Sequence, residues 1–488
     1  MDIIVVDRIS AILTVFLTVY ALGMTVFLIS ENRRPQATLA WILIFVLAPV
    51  IGGLIYIFFG RDTKAFSKQR KLLRQDLDVS ARPLLSPLLS RQDIEIARLE
   101  YESLGYRKLM MLVRRNSRSA LTKHNRVEIQ QDAAKFYPNM VEDIKAAQHS
   151  IHLQYFVWAA DTFTECLKEV LSAKARAGIE VRLLYDPIGS QAHVGSAYVK
   201  KMLASGIQMT PTSPPYRLHT ISYRNHRKIT VIDGAIGYTG GMNIGKEHVD
   251  GGEGFNSWRD TQVRIAGEGA AVLQAVFMVD WYNAVRENLF AEAYFPAAAT
   301  ELIDGDVPVQ ILTSGPDSHW AAIRQLYSFM IVSAKKHVFI QSPYFVPDAT
   351  IAEALMTAAF SGVDVRVMLS ARPSGNRVPA WAGNTFMAEV VDAGVRMFLY
   401  EKGYLHAKTI SIDSEVCSIG SANIDIRSFS INYELNAVLY SRELARELEK
   451  DFERDLVHCT EFSPKEYKKR SGVVRFRDSV ARIFSPLL

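Results

Sequence analysis

Eight residues, His226-Arg227-Lys228-Ile229-Thr230-Val231-Ile232-Asp233, return 180 positions later as His406-Ala407-Lys408-Thr409-Ile410-Ser411-Ile412-Asp413. Both copies read His-x-Lys-x4-Asp, and in both an Asn follows the His by 17 residues, Asn243 and Asn423, inside a small-residue turn. A repeat of this kind constrains the fold more than any other property of the chain. It demands two copies of one structural unit, each able to seat its motif in the same way. The flanking sequence repeats as well. Ile151–Tyr155 and Val338–Ser342 read as strands, each followed by a helical stretch and then by a Gly (Gly178, Gly362) that opens a second strand. A further helix ends at Gly206 in one copy and Gly394 in the other. Helix and strand alternate, so each copy is expected to be an α/β lobe with helices on both faces of a central sheet. Within a motif, the two-residue period of a strand puts His and Lys on one face together with Thr230 and Ile232, and sends Ile229 and Val231 to the other.

Two imidazoles and two ammonium groups suit an anionic substrate with a departing alkoxide. Lys228 and Lys408 can neutralise the oxygens of a phosphodiester as compact charges. Asn243 and Asn423 can add amide donors, and Gly241 and Ser421 sit in turns where backbone can approach a phosphate. Imidazole, with an ordinary pKa of about 6.5, can act as nucleophile or as acid and base. A nucleophilic imidazole needs its other nitrogen held by an acceptor, and Asp260 and Glu434, both in strand-like runs, are the candidates. Asp233 and Asp413 complete the motif. A carboxylate facing a phosphate would repel it, so these two are read as orienting neighbours or binding backbone amides. The six nearest motif groups form a poor ligand set for a divalent ion, so neither a metal nor a cofactor is expected. His152, His337 and His458 are read as satisfied core histidines. Cys166, Cys417 and Cys459 are too scattered for a metal site or a disulfide framework and are expected to be buried, reduced thiols.

The N-terminus carries two uncharged apolar stretches, Ile9–Ile29 and Ala37–Phe59, each long enough to cross a hydrocarbon core of about 30 Å as a helix. Pro49 and Gly52-Gly53 predict a kink or a re-entrant path in the second. Arg61, Lys64, Lys68, Arg70, Lys71 and Arg74 follow it, against Arg33 and Arg34 in the intervening turn, which favours a cytoplasmic catalytic region. Near the C-terminus, Lys465–Arg482 holds seven Lys or Arg against Glu466 and Asp478, interleaved with Val473, Val474, Phe476 and Val480. This is either a basic amphipathic helix lying on anionic lipid or a solvated helix packed on the second lobe.

The paired motif is similar to the catalytic signature of the phospholipase D superfamily. Together with the N-terminal spans, Tyr344-Phe345-Val346-Pro347, Gly240-Gly241-Met242-Asn243, Asn423-Ile424-Asp425-Ile426-Arg427-Ser428 and the terminal Phe484-Ser485-Pro486-Leu487-Leu488, it resembles the bacterial cardiolipin synthases of that superfamily. The resemblance implies two phospholipase D-like α/β lobes in pseudo-two-fold arrangement behind a transmembrane hairpin, with both motifs in one cleft. The implied division is a hairpin at 1–60, a basic linker at 61–120, lobes at 121–300 and 301–462, and a basic tail at 463–488. It also implies transfer of a phosphatidyl group between two phosphatidylglycerol molecules, giving cardiolipin and glycerol through a phosphohistidine, with His226 favoured as nucleophile and His406 as acid and base. Partners would be those lipids and an anionic membrane surface, at the bacterial inner membrane, with homo-oligomerisation left open. A membrane-bound phospholipase D using water or another alcohol would need the same residues. A nucleic-acid phosphodiesterase fits less well, because apolar spans are present and a basic, aromatic groove is not evident.

Overall fold

The computed structural model describes residues 2–31, 35–56, 84, 106–213, 222–252, 254–296, 304–318 and 320–487. The N-terminal helices form a unit of their own. Its first helix, Asp2–Ser30, contains the span Ala11–Ser30, which is apolar and long enough to cross a membrane. The second apolar stretch is not one helix. It runs as Pro35–Leu47, breaks at Ala48, and restarts as Pro49–Ile55. Pro49 has no N–H to give to the preceding turn and its ring disfavours helix in the residue before it, so the chain starts again with Pro49 in the first position, where a missing N–H costs nothing. The predicted kink is therefore a break. The longer piece, 13 residues, spans only about 20 Å. The two arms fold back on each other around Leu28, Phe45 and Tyr56, and the Tyr56 hydroxyl donates to Glu31 (3.0 Å). Arg33, Arg34 and the basic run from Arg61 to Arg74 lie outside the described residues.

In the remaining unit, both lobes carry the same seven strands in the same order. In lobe one they are Asn125–Gln131, Thr261–Gly267, Ile236–Gly240, Ile229–Ile232, Ser150–Tyr155, Glu180–Tyr185 and Gln208–Pro211. In lobe two they are Val309–Ser314, Glu434–Leu439, Val416–Gly420, Thr409–Ile412, His337–Gln341, Asp364–Ser370 and Arg396–Tyr400, with short strands Leu121–Thr122 and Cys459–Glu461 added at the two edges. The last three of each seven are parallel and the first four antiparallel to their neighbours. Gly178 and Gly362 stand at equivalent helix-to-strand turns with φ of 89° and 86°, a conformation that costs a glycine little.

Alternation sorts the side chains as the motif predicts. Ile151, Leu153, Tyr155 and Ile232 pack with Phe136, Leu167 and Leu171 of the helices Ala133–Ala146 and Thr162–Arg176. Ile229 and Val231 point the other way. There they meet Val263, Ile265 and, from the second lobe, Ile311, Cys417, Ile419, Leu435 and Ala437. This shared apolar layer holds the lobes face to face. Burying such a layer stabilises their association by about 25 cal/mol per Å² of apolar surface removed from water.

Several expectations are revised. The helix Arg107–Ser117 and strand Leu121–Thr122 belong to the core of lobe two, contributing Leu109, Met110, Val113 and Leu121, so the chain enters the second lobe before it builds the first. His458 is exposed at the end of a helix, not in the core. His152 is buried between Gln274 (2.7 Å) and Glu180, and His337 binds Glu449 (2.9 Å). All three thiols are unpaired, but only Cys417 is buried; Cys459 is half-buried and Cys166 is exposed, since it lies on the outer side of its helix.

Candidate active site

Each motif histidine is anchored to the opposite lobe. Asn225 bridges Tyr433 in parallel, the His226 N–H donates to the Tyr433 carbonyl (2.9 Å) and the Tyr433 N–H to that of Arg224 (2.8 Å). Symmetrically, Tyr404–Leu405 pairs with Trp258–Arg259, and the His406 N–H donates to the Arg259 carbonyl (2.7 Å). The segment before each motif thus becomes an extra strand on its partner lobe, and both histidines arrive at the seam between the two halves. The residue before each is pinned too: Asp186 accepts from the Asn225 N–H (2.9 Å), and Ser370 Oγ from that of Leu405 (3.4 Å).

The orienting acids cross the same seam. His226 Nδ1 lies 3.0 Å from Glu434 Oε2 and 3.0 Å from the Ser421 carbonyl, and His406 Nδ1 lies 2.7 Å from Asp260 Oδ2. The Gly241 carbonyl bonds the His406 ring as the Ser421 carbonyl bonds His226. A ring nitrogen facing only acceptors must carry the proton, so in each neutral imidazole Nδ1 is N–H and Nε2 holds the lone pair. Both rings are therefore set as nucleophile or base at Nε2. The sequence nominated both acids and left open which histidine each serves; the pairing is crossed.

The lysines sit beneath the rings. Lys228 Nζ donates to the His226 carbonyl (2.7 Å) and lies over the Phe156 ring, while Lys408 Nζ donates to the His406 carbonyl. Burial and then the proximity of Lys408 hold Lys228 well below the ordinary ammonium range. Burial pushes Lys408 down to about 8, against the attraction of Asp260 and Glu434. Both histidines are lowered as well, His226 by burial and the two lysines, and His406 by burial, Lys408, Lys228 and His226. Lys228 and both rings, drawn from the two lobes, are each disfavoured as cations by Lys408. Glu434, which burial alone would raise, is held low by His226, Lys228 and Ser421 and is ionised; burial raises Asp260.

Asn243 and Asn423 flank the rings unequally. Asn243 takes the Val157 N–H on its side-chain oxygen (3.1 Å), leaving its amide nitrogen as the group turned elsewhere. Asn423 gives its amide hydrogens to Tyr344 (2.8 Å) and Asp425 (3.2 Å), so in this arrangement it is not the donor the sequence suggested. Two other assignments change. A Cβ on Gly241 would lie 2.0 Å from Asp260 Oδ1, so this glycine exists to let the acid reach His406, not to admit a ligand. Ser421 bonds Glu434 through its hydroxyl, accepts the Leu435 N–H on the same oxygen (2.9 Å), and holds His226 through its carbonyl, which makes it a positioning residue. Asp233 and Asp413, at the far ends of their strands, each gather three backbone N–H groups. These are Gln148, His149 and Ser150 at 2.7–2.9 Å, and Lys335, Lys336 and His337 at 2.7–3.1 Å. They tie down the start of the neighbouring strand and take no part at the rings.

One residue was missed. His248 is buried, its ring centroid 6.1 Å from that of His406, and its Nε2 accepts the Asn243 N–H (3.3 Å). Its Nδ1 has no partner among the described residues, and burial pushes its pKa to about 3. The signal was present: Ser428 follows Asn423 by the same five residues and accepts the Asn423 N–H (3.2 Å) in the same way. An imidazole and a hydroxyl thus hold equivalent places, and the two half-sites differ.

Residues 140–280 and 327–456 match the family model described as the phospholipase D-like domain of cardiolipin synthase, and residues 12–61 match that of the phospholipase D-nuclease N-terminal region. A cardiolipin synthase of Geobacillus kaustophilus (strain HTA426) is 37% identical over 94% of this chain and 90% of its own length. One from Halalkalibacterium halodurans is 35% identical over 99% and 94%. The crystal structure of phosphatidylserine synthase from Haemophilus influenzae Rd KW20 shares the fold, with a TM-score of 0.61 over 78% of this chain and all of that one at 14% identity.

Proposed function

Because the chain belongs to the cardiolipin synthase family of phospholipase D-like proteins, we propose that its crossed histidine pairs exchange one phosphodiester for another between two phosphatidylglycerol molecules. The enzyme is a cardiolipin synthase, and the roles of its residues follow from charge and geometry. His226 Nε2 attacks the phosphorus of the first lipid, and the bond from phosphorus to the glycerol oxygen breaks. His406, as imidazolium, gives its Nε2 proton to the departing alkoxide, releasing glycerol and leaving the phosphatidyl group on His226. His406 then takes the proton from a headgroup hydroxyl of the second phosphatidylglycerol. That oxygen attacks phosphorus, the bond to His226 breaks, and cardiolipin forms. One phosphodiester is made for each one lost, so no nucleotide is consumed.

Glu434 favours His226 as the nucleophile. The ring gains positive charge as it attacks, and an ionised carboxylate 3.0 Å from Nδ1 stabilises that charge. The raised Asp260 offers less of this to His406. Burial and two facing lysines disfavour a proton on His406; a phosphodiester anion beside them offsets the lysines and lets the ring charge. Substrate binding thereby arms the acid. Lys228, Lys408 and the amide of Asn243 would face the non-bridging oxygens. One half-site comes from each lobe.

The chain is a membrane protein by its family and its apolar helix. A hairpin anchored in the bacterial inner membrane, with the lobes on the cytoplasmic side, accords with the basic residues that follow the second apolar stretch. The crossing of the two acids is the observation that carries the mechanism. Its test is purified enzyme given phosphatidylglycerol alone, which should yield cardiolipin and glycerol in equal amounts; phosphatidic acid without cardiolipin overturns it. In the same assay His226→Ala should form no labelled lipid adduct, and His406→Ala should still form one slowly.

A further inference from the structure

The helix Gly472–Ile483 is docked with its charged side inward. Asp478 is fully buried, accepting from Asn384 (3.0 Å) and pairing with Arg477. The Arg477 guanidinium lies 4.5 Å from the centroid of Trp381, and that of Arg482 lies 4.1 Å from Phe386 and bonds Glu389 (2.6 Å). Trp381, Asn384, Phe386 and Glu389 all belong to the helix Val378–Asp392 of lobe two, and Ala481 joins that lobe's core. Val474, Arg477, Asp478, Ala481 and Arg482, spaced three and four apart, are thus the packed face.

The outer face is apolar. Val473, Phe476 and Ile483 are 79%, 71% and 73% exposed, and Val480 and Phe484 continue the row. A helix that only covers a soluble core shows the reverse pattern. A contiguous exposed stripe of this kind marks a surface that meets something else. Beside it Lys468, Lys469, Arg470 and Arg475 are exposed, whereas the segment's acids are neutralised, Asp478 by burial with Arg477 and Glu466 by Lys469 (2.6 Å). Apolar side chains flanked by exposed cations complement the boundary of an anionic bilayer, where acyl chains and phosphates lie within a few ångströms of each other. The same chain carries a helix long enough to span a membrane, so a bilayer is the apolar phase at hand.

We propose that Gly472–Ile483 lies in the interface of an anionic bilayer, with Val473, Phe476, Val480 and Ile483 inserted among the lipids and Lys468, Lys469, Arg470 and Arg475 on their headgroups, so that lobe two is fixed to the membrane at its C-terminal end independently of the N-terminal helices. Substrate identity enters only through the sign of the bilayer charge. The occupant is lipid, not a second chain, because the cations flanking the stripe would repel their own copies.

The test uses full-length protein with Cys166→Ser and Phe476→Cys, labelled with an environment-sensitive fluorophore and reconstituted into phosphatidylcholine vesicles with or without phosphatidylglycerol. Protein carrying Cys166→Ser alone corrects for labelling at Cys459. Blue-shifted emission and about a twofold quenching by lipids spin-labelled near the headgroup are expected with phosphatidylglycerol, and both should be lost on adding Val473→Asp and Ile483→Asp. Water-like emission in both vesicle types overturns the proposal. So does quenching that survives the two Asp substitutions. A signal indifferent to the lipid quencher but rising with protein density would mean that a second copy covers the stripe, and overturns it equally. Each readout is independent of turnover, so failure here leaves the reaction assignment standing.

Discussion

Replacing Glu434 by Gln tests the central electrostatic argument. The change keeps the volume of a fully buried side chain and leaves an amide oxygen to accept from His226 Nδ1, but removes the charge. Two unit charges 3.0 Å apart interact by roughly 5 kcal/mol at an effective dielectric of about 20. The charge on an attacking imidazole is only partly developed and spread over the ring, so about half of this, 2–3 kcal/mol, should be lost from the transition state. That is roughly a hundredfold in kcat. KM should hardly move, because Glu434 lies behind the ring and touches no substrate atom. Rapid mixing with headgroup-labelled phosphatidylglycerol should locate the loss in glycerol release with lipid adduct formation, and circular dichroism should show an unchanged fold. A kcat within threefold of the parent, or a loss confined to the second step, would refute the assignment of Glu434 to a nucleophilic His226.

Asp233→Ala and Asp413→Ala should each lower stability by about 1–2 kcal/mol, since three backbone N–H groups lose their carboxylate acceptor at a partly solvated turn. Activity per folded molecule should stay the same; a loss without a drop in thermal midpoint would return these residues to the chemistry. Acid should destabilise the lobes by a route the sign of the shifts fixes. His152 and His248 are held down to about 3 when folded, whereas an unfolded imidazole titrates near 6.5, so the unfolded chain takes up protons first. Stability is complete above about pH 6.5 and falls below it, by up to about 1.4 kcal/mol per pH unit per histidine. His152→Gln should flatten the fall in thermal midpoint between pH 7 and pH 5, and an unchanged slope would contradict the burial argument.

The repeat made the architecture legible before any coordinates, because a unit that recurs must bury the same face twice. Strand positions, the two faces of Ile229–Ile232 and the amide-binding role of Asp233 and Asp413 all followed from spacing and charge. Part of what escaped the sequence depends on the second lobe. Nothing in the local order of residues says that Glu434 serves His226 and Asp260 serves His406; that Gly241 is small to make way for Asp260 is a contact within one lobe, between residues far apart in sequence. Asn423 misled because its amide is taken by Tyr344 of its own lobe, 79 residues away in sequence. The break at Ala48 was announced by Pro49. The inverted docking of the C-terminal helix was not, because the sequence shows an amphipathic stripe without saying which side is out.

The exchange of orienting carboxylates across the seam has a consequence for how the two halves can change. A fault in either half is felt at the other half's imidazole, so neither repeat can decay into a passive scaffold while its twin keeps the catalyst. Nor can the halves swing apart to discharge a four-tailed product, since separating them would strip each ring of its proton-holding acceptor. A route for lipid that leaves the seam closed keeps both rings oriented.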